Sequence, residues 1–188
     1  MKFLRSVKTS RLLAPSLAYL ALGIGLPLLG FVLVQQTLRL SAYDPQIQLA
    51  EDIALSTASG TTPDVAVGPS VEASFSLAPF VTVYDSNRQP VASSGKFAGK
   101  ILAPPTGSFD AARSKAQVRF TWVPSAGGRY ASVLVYRGDT HPGYVLVARN
   151  MYEVESRIMR LLGITFTAIA GFIIVGSLLL MYEITRKV

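Results

Sequence analysis

Two uncharged apolar runs, one near each end of the chain, constrain the fold more than anything between them. Leu12 to Val34 (LLAPSLAYLALGIGLPLLGFVLV) carries no charge over about 23 residues, roughly 34 Å of helix, enough to cross a hydrocarbon core. Leu161 to Met181 (LLGITFTAIAGFIIVGSLLLM) does the same with about 21 residues. A basic leader, MKFLRSVKTSR, precedes the first run as it would a signal peptide. That run, however, far exceeds the roughly 7–15 apolar residues of a signal sequence, and its small-residue exit at Leu40-Ser41-Ala42 is poor. The expectation is an uncleaved anchor and a chain divided into 1–11, a first span 12–34, a central domain 35–160, a second span 161–181, and 182–188.

Flanking charge sets the expected orientation. Lys2, Arg5, Lys8 and Arg11 precede the first span, and Arg186 and Lys187 follow the second. Short basic flanks stay cytoplasmic, so both termini are expected inside a plasma membrane and the central domain outside it, despite Arg39, Arg157 and Arg160 near the outer ends. The formal net charge of +7 therefore does not point to nucleic acid. The outer segment is near balance, with 12 Lys/Arg against 10 Asp/Glu, and the excess suits anionic lipid headgroups at the inner face. The chain has no cysteine, which removes disulfides, thiolate chemistry and lipobox attachment.

Between the spans, Asp44-Pro45 reads as an N-cap followed by Pro at the first helical position. A helix PQIQLAEDIALSTAS is expected there, with Ile47, Ala50, Ile53, Ala54 and Leu55 as its apolar face. The stretch TTPDVAVGPSVEASFSLA reads as loop with one short helical turn. Phe80–Tyr84 and PVAS form a hairpin across DSNRQ, with Pro90 at the first position of the return strand. Residues 95–116 do not alternate; Pro104-Pro105 and Gly107 mark a loop, and Ser108 or Asp110 starts a short helix. Three strands follow, QVRFTWV, RYASVLVYR and GYVLVAR. Asn150 with Glu153 resembles a capping box opening a helix that runs into the second span. The short connections make the sheet antiparallel, and strands such as ASVLVY, apolar on both sides, require cover on both faces. The fold class is α+β: a five-stranded antiparallel sheet with flanking helices, held between two transmembrane helices.

This pattern resembles the extracytoplasmic PAS-like sensor domains of bacterial membrane receptors, of the single-Cache type. The likeness lies in DPQIQLAED (44–52), VTVYDSNRQPVASSG (81–95), PPTGSFD (104–110), RFTWVP (119–124) and YVLVARNMYEVESR (144–157), and covers roughly residues 40–160. It implies a sheet order 2-1-5-4-3 and a segment between the second and third strands that covers a small-molecule pocket. Such receptors usually continue into a cytoplasmic output domain, whereas this sequence stops at YEITRKV. The resemblance therefore implies a separate signalling partner or a fragment of a longer receptor.

No catalytic or cofactor fingerprint is present. His141, the sole histidine, sits in the turn GDTHPG near Asp139 and reads as a loop residue, so no enzyme is expected. Glu51-Asp52 reads as an exposed helix face rather than a metal site. If the excursion covers a pocket, Phe97, Phe109, Trp122 and Tyr136 are its candidate apolar walls, and Tyr84, Arg119 or Arg129 its polar anchors. Alternation places Trp122 and Arg119 on opposite faces, so not all of these residues can share one cavity; Tyr84, Phe109, Trp122, Arg129 and Tyr136 are taken as the ligand-binding set. Equally, aromatics at strand positions are ordinarily core. In the second span, Gly163, Thr167 and Gly171 recur every four residues, which permits close helix packing within one chain or in a homodimer.

Two functions fit this reading. In one, a two-span plasma-membrane sensor binds a small molecule or protein outside and signals to a separate membrane or cytoplasmic partner. In the other, a non-sensing accessory protein uses its outer domain as a protein-docking module.

Overall fold

The computed structural model describes residues 2–124, 128–138 and 142–186, so His141 and Asp139 lie outside the described residues. Its elements are α1 (Lys2–Ser41), α2 (Asp44–Ala58), α3 (Pro63–Ala66), β1 (Val71–Glu72), β2 (Phe80–Asp85), β3 (Pro90–Ser93), β4 (Gly95–Lys96), α4 (Thr106–Lys115), β5 (Gln117–Trp122), β6 (Tyr130–Arg137), β7 (Gly143–Asn150) and α5 (Tyr152–Arg186). They divide into two compact units. One is Leu38–Ser156; the other joins Met1–Thr37 with Arg157–Val188.

The helical unit is membrane-grade. The most apolar stretches of its two helices have mean hydropathies of 1.9 and 2.3, yet only 6% and 11% of those stretches is buried by protein. A core helix of a water-soluble fold would hide such surface, so the chain is a two-span membrane protein. The helices meet through aromatic rings laid on glycines. Tyr19 stacks on Phe172 with centroids 4.1 Å apart, and its hydroxyl donates to the Phe172 carbonyl at 3.5 Å. A Cβ on Gly23 would run into the Phe172 ring, and one on Gly176 into Tyr19. Gly163 and Gly171 have nothing near them, and the exposed Thr167 hydroxyl donates back to the Gly163 carbonyl at 3.0 Å. The face read from four-residue spacing is thus not the face this contact uses.

In the globular unit, five strands form one antiparallel sheet in the order β3-β2-β7-β6-β5, which is 2-1-5-4-3 counted along these strands. The β2–β3 turn is built on Asp85, whose carboxylate accepts the Gln89 N–H at 2.8 Å, and a bulge at Val83/Tyr84 follows it into the pair. α2 begins one residue earlier than its sequence suggests. Tyr43 occupies the cap without a side-chain bond, and Asp44 lies in the first turn, where the helix dipole still favours it. The buried stripe of α2 is Gln46, Ala50, Ile53 and Thr57, at helical spacing. Leu55, assigned to the apolar face from sequence, is exposed because it lies two residues round from Ile53. A segment read as loop also contains structure, since β1 pairs in parallel with β4, and the short helix expected from Ser108 or Asp110 is α4, opening at Thr106 after Pro105.

The sheet is covered on both sides. Val81, Val83, Val133, Val145 and Val147 pack against α2 on one face. Phe80, Tyr84, Tyr130, Leu134, Tyr144 and Leu146 face the other way, with Phe97 and with Phe109 of α4 packed among them. At the end of β7, the Asn150 carboxamide oxygen accepts the Tyr152 N–H at 2.8 Å, half of the expected cap, while Glu153 accepts from Arg149 at 3.2 Å.

Candidate functional site

The five residues read from sequence as a ligand set do not share one cavity. Tyr84, Phe109 and Trp122 are buried in the aromatic face, and Tyr136 packs against it half-buried. Phe109 meets Tyr84 and Tyr144 edge-on, with centroids 5.2 and 5.1 Å apart, and Phe97 meets Trp122 and Tyr130 at 6.0 and 5.4 Å. Edge-to-face rings at these separations fill the space between sheet and α4. The hairpin turn closes its rim: Arg88 lies 5.7 Å over the Phe109 ring and pairs with Asp110.

Two hydroxyls on this face lack a well-formed hydrogen bond among the described residues. The Tyr84 phenol and the Ser132 Oγ are both fully buried; Ser132 Oγ has no partner there, and the phenol has only Thr82, two residues back on the same face, as a weak one. Burial pushes the Tyr84 phenol well above its ordinary range. Tyr130, by contrast, donates to the Ala73 carbonyl at 2.8 Å, though burial raises its phenol too.

Arg129 lies elsewhere. It pairs with Glu155 at 3.1 Å and lines an open cleft of about 340 Å³ with Ser74, Phe75, Leu77, Gly128, Asn150 and Tyr152. The volume falls within the range of small-molecule sites. Each wall has a local cause. Ser74 and Phe75 leave β1 in a tight turn in which the Glu72 carboxylate accepts from the Ser74 hydroxyl at 2.8 Å and the Ala98 N–H at 3.1 Å. Those bonds, the Ser74 hydroxyl foremost, hold Glu72 below the usual carboxylate range. Arg149 Nε donates to the Leu77 carbonyl at 2.9 Å and fixes the segment against β7. Phe75 is 88% exposed and Tyr152 71%, so the cleft presents two rings beside one ion pair. Of the expected set only Arg129 contributes. Phe75, Tyr152 and Glu155 were not singled out from sequence, where a lone ring in a loop or a first helical turn carries no period to mark it.

Strand order, a covering segment after the hairpin and membrane-length helices on either side are consistent with a PAS-like membrane sensor fold. No family model matches the sequence, and no curated protein matches it.

Proposed function

We propose that this protein is a non-catalytic sensor of single-Cache architecture, with its globular unit outside the plasma membrane of a bacterium and both termini inside. The basic flanks Lys2, Arg5, Lys8, Arg11, Arg186 and Lys187 support that orientation. The observation carrying the sensing role is the placement of the Arg129 cleft where β7 becomes α5: Asn150, Tyr152 and Glu155 all line it. A small molecule with a polar group for Arg129 and an apolar body for Phe75 and Tyr152 would bind against the first turn of α5. It shifts the protein's conformation only in so far as it binds one arrangement of that turn better than another. A separate membrane or cytoplasmic partner reads the change.

The test is thermal unfolding of the full chain in nanodiscs against a metabolite library. A binder should raise the midpoint in a concentration-dependent way, and Arg129→Ala and Tyr152→Ala should each abolish the shift. A shift retained in both variants would move the site away from the cleft. The exposure of Phe75 favours a second reading, in which the cleft docks another protein. A photo-crosslinking residue at position 75 that captures one partner in cells, with no metabolite shift, would select that reading.

A further inference from the structure

Gln46 is 1% exposed, yet neither its Nε2 nor its Oε1 is hydrogen-bonded to a described protein group. It heads the buried stripe of α2, where an apolar side chain would pack as well. The side chain lines a second cavity, of about 40 Å³, on the valine side of the sheet. Ser41 at the end of α1, Ala131 of β6, Arg149 and Asn150 of β7, and Glu153 in the first turn of α5 form its walls. A primary amide needs an acceptor for its N–H groups and a donor for its oxygen. A cation would satisfy only Oε1 while meeting the Arg149 guanidinium, and an anion only Nε2 while meeting Glu153. Water offers both functions, and the volume suits about two or three molecules.

We propose that this cavity is a structural water site, whose bound waters join the Gln46 amide to the Arg149–Glu153 pair and so tie the first turn of α2 to the first turn of α5. The joint is then a hydrated seam rather than a packed contact, and it meets the Arg129 cleft at Asn150, which lines both.

The test uses the full chain, nitrogen-15 labelled, in nanodiscs. The Gln46 side-chain amide, assigned by its loss in Gln46→Met, should show cross-relaxation to water of the sign given by long-lived bound molecules. In Gln46→Met, a near-isosteric apolar replacement, hydrogen exchange at residues 151–154 should rise by about tenfold or more while Ala50 and Ile53 stay protected. Absence of the water contact in the unsubstituted protein would overturn the proposal, whether or not the variant folds. So would a Gln46→Met protein with unchanged or slower exchange at 151–154.

Discussion

On one side of the sheet α2 lays Ala50 and Ile53 on five valines, with Val67 beside α3 completing the cluster; on the other, Phe80, Tyr84, Tyr130 and Tyr144 interlock with Phe97 and Phe109. Valine is branched at Cβ and stiff, so rows of it make an even surface that a straight helix can approach closely. Rings present edges and faces, which mesh only where the covering chain is irregular enough to send its own rings between them. The covering chain here is the stretch from β4 through α4, with five prolines or glycines at Gly95, Gly99, Pro104, Pro105 and Gly107. The aromatic side buries the Tyr84 and Ser132 hydroxyls, and the valine side buries the Gln46 amide.

The largest effect should come from removing the ring that seats α4. Phe109→Ala should cost about 3–5 kcal/mol, by lost burial and a residual cavity, whereas Val145→Ala on the opposite face should cost about 2–3 kcal/mol. Denaturant unfolding of the globular unit's signal in the full chain measures both. Equal costs would erase the distinction between the faces. A smaller and sharper contrast lies between two buried phenols. Tyr130→Phe should cost about 1 kcal/mol, through the lost bond to Ala73, while Tyr84→Phe should be near neutral or stabilising, since only a weak contact with Thr82 is lost.

That contrast extends to pH. Tyr84 ionises less readily in the folded state than at its ordinary value of 10.0, because burial disfavours the phenolate. Above that value the unfolded chain releases a proton that the folded chain keeps. The stabilisation is therefore whole below about pH 10 and declines as pH climbs towards the raised folded value. Tyr84→Phe should remove part of that alkaline decline, measured by denaturation at a series of pH values. An unchanged alkaline limb would mean the phenol has found a partner.

Much of the fold was legible because its signals are periodic. β-branched alternation placed all five strands of the main sheet, and the short turns DSNRQ, PSAGG and GDTHP made their pairing antiparallel. What escaped has a common physical reason: it depends on contacts between distant residues. β1 and β4 are two residues each, too short for any period. Phe109 and Trp122 read as apolar walls and Tyr84 as a polar anchor, yet all three are buried core, because chemistry alone does not separate a ring that lines a pocket from one that fills it. Small residues at Gly163 and Gly171 show where a backbone could approach, whereas the contact formed is chosen by Tyr19 and Phe172, each seated on a glycine of the other helix. Gln46 read as one more polar residue of α2, and only the packed helix reveals that it is buried.

Topology is the most direct test of the account. Because the chain has no cysteine, single replacements carry a unique label. A membrane-impermeant maleimide added to intact cells should modify Phe75→Cys, in the open cleft, and should modify Thr185→Cys, beyond the second span, only after lysis. Protection of position 75 in intact cells, with labelling of position 185, would place the globular unit in the cytoplasm and contradict the account.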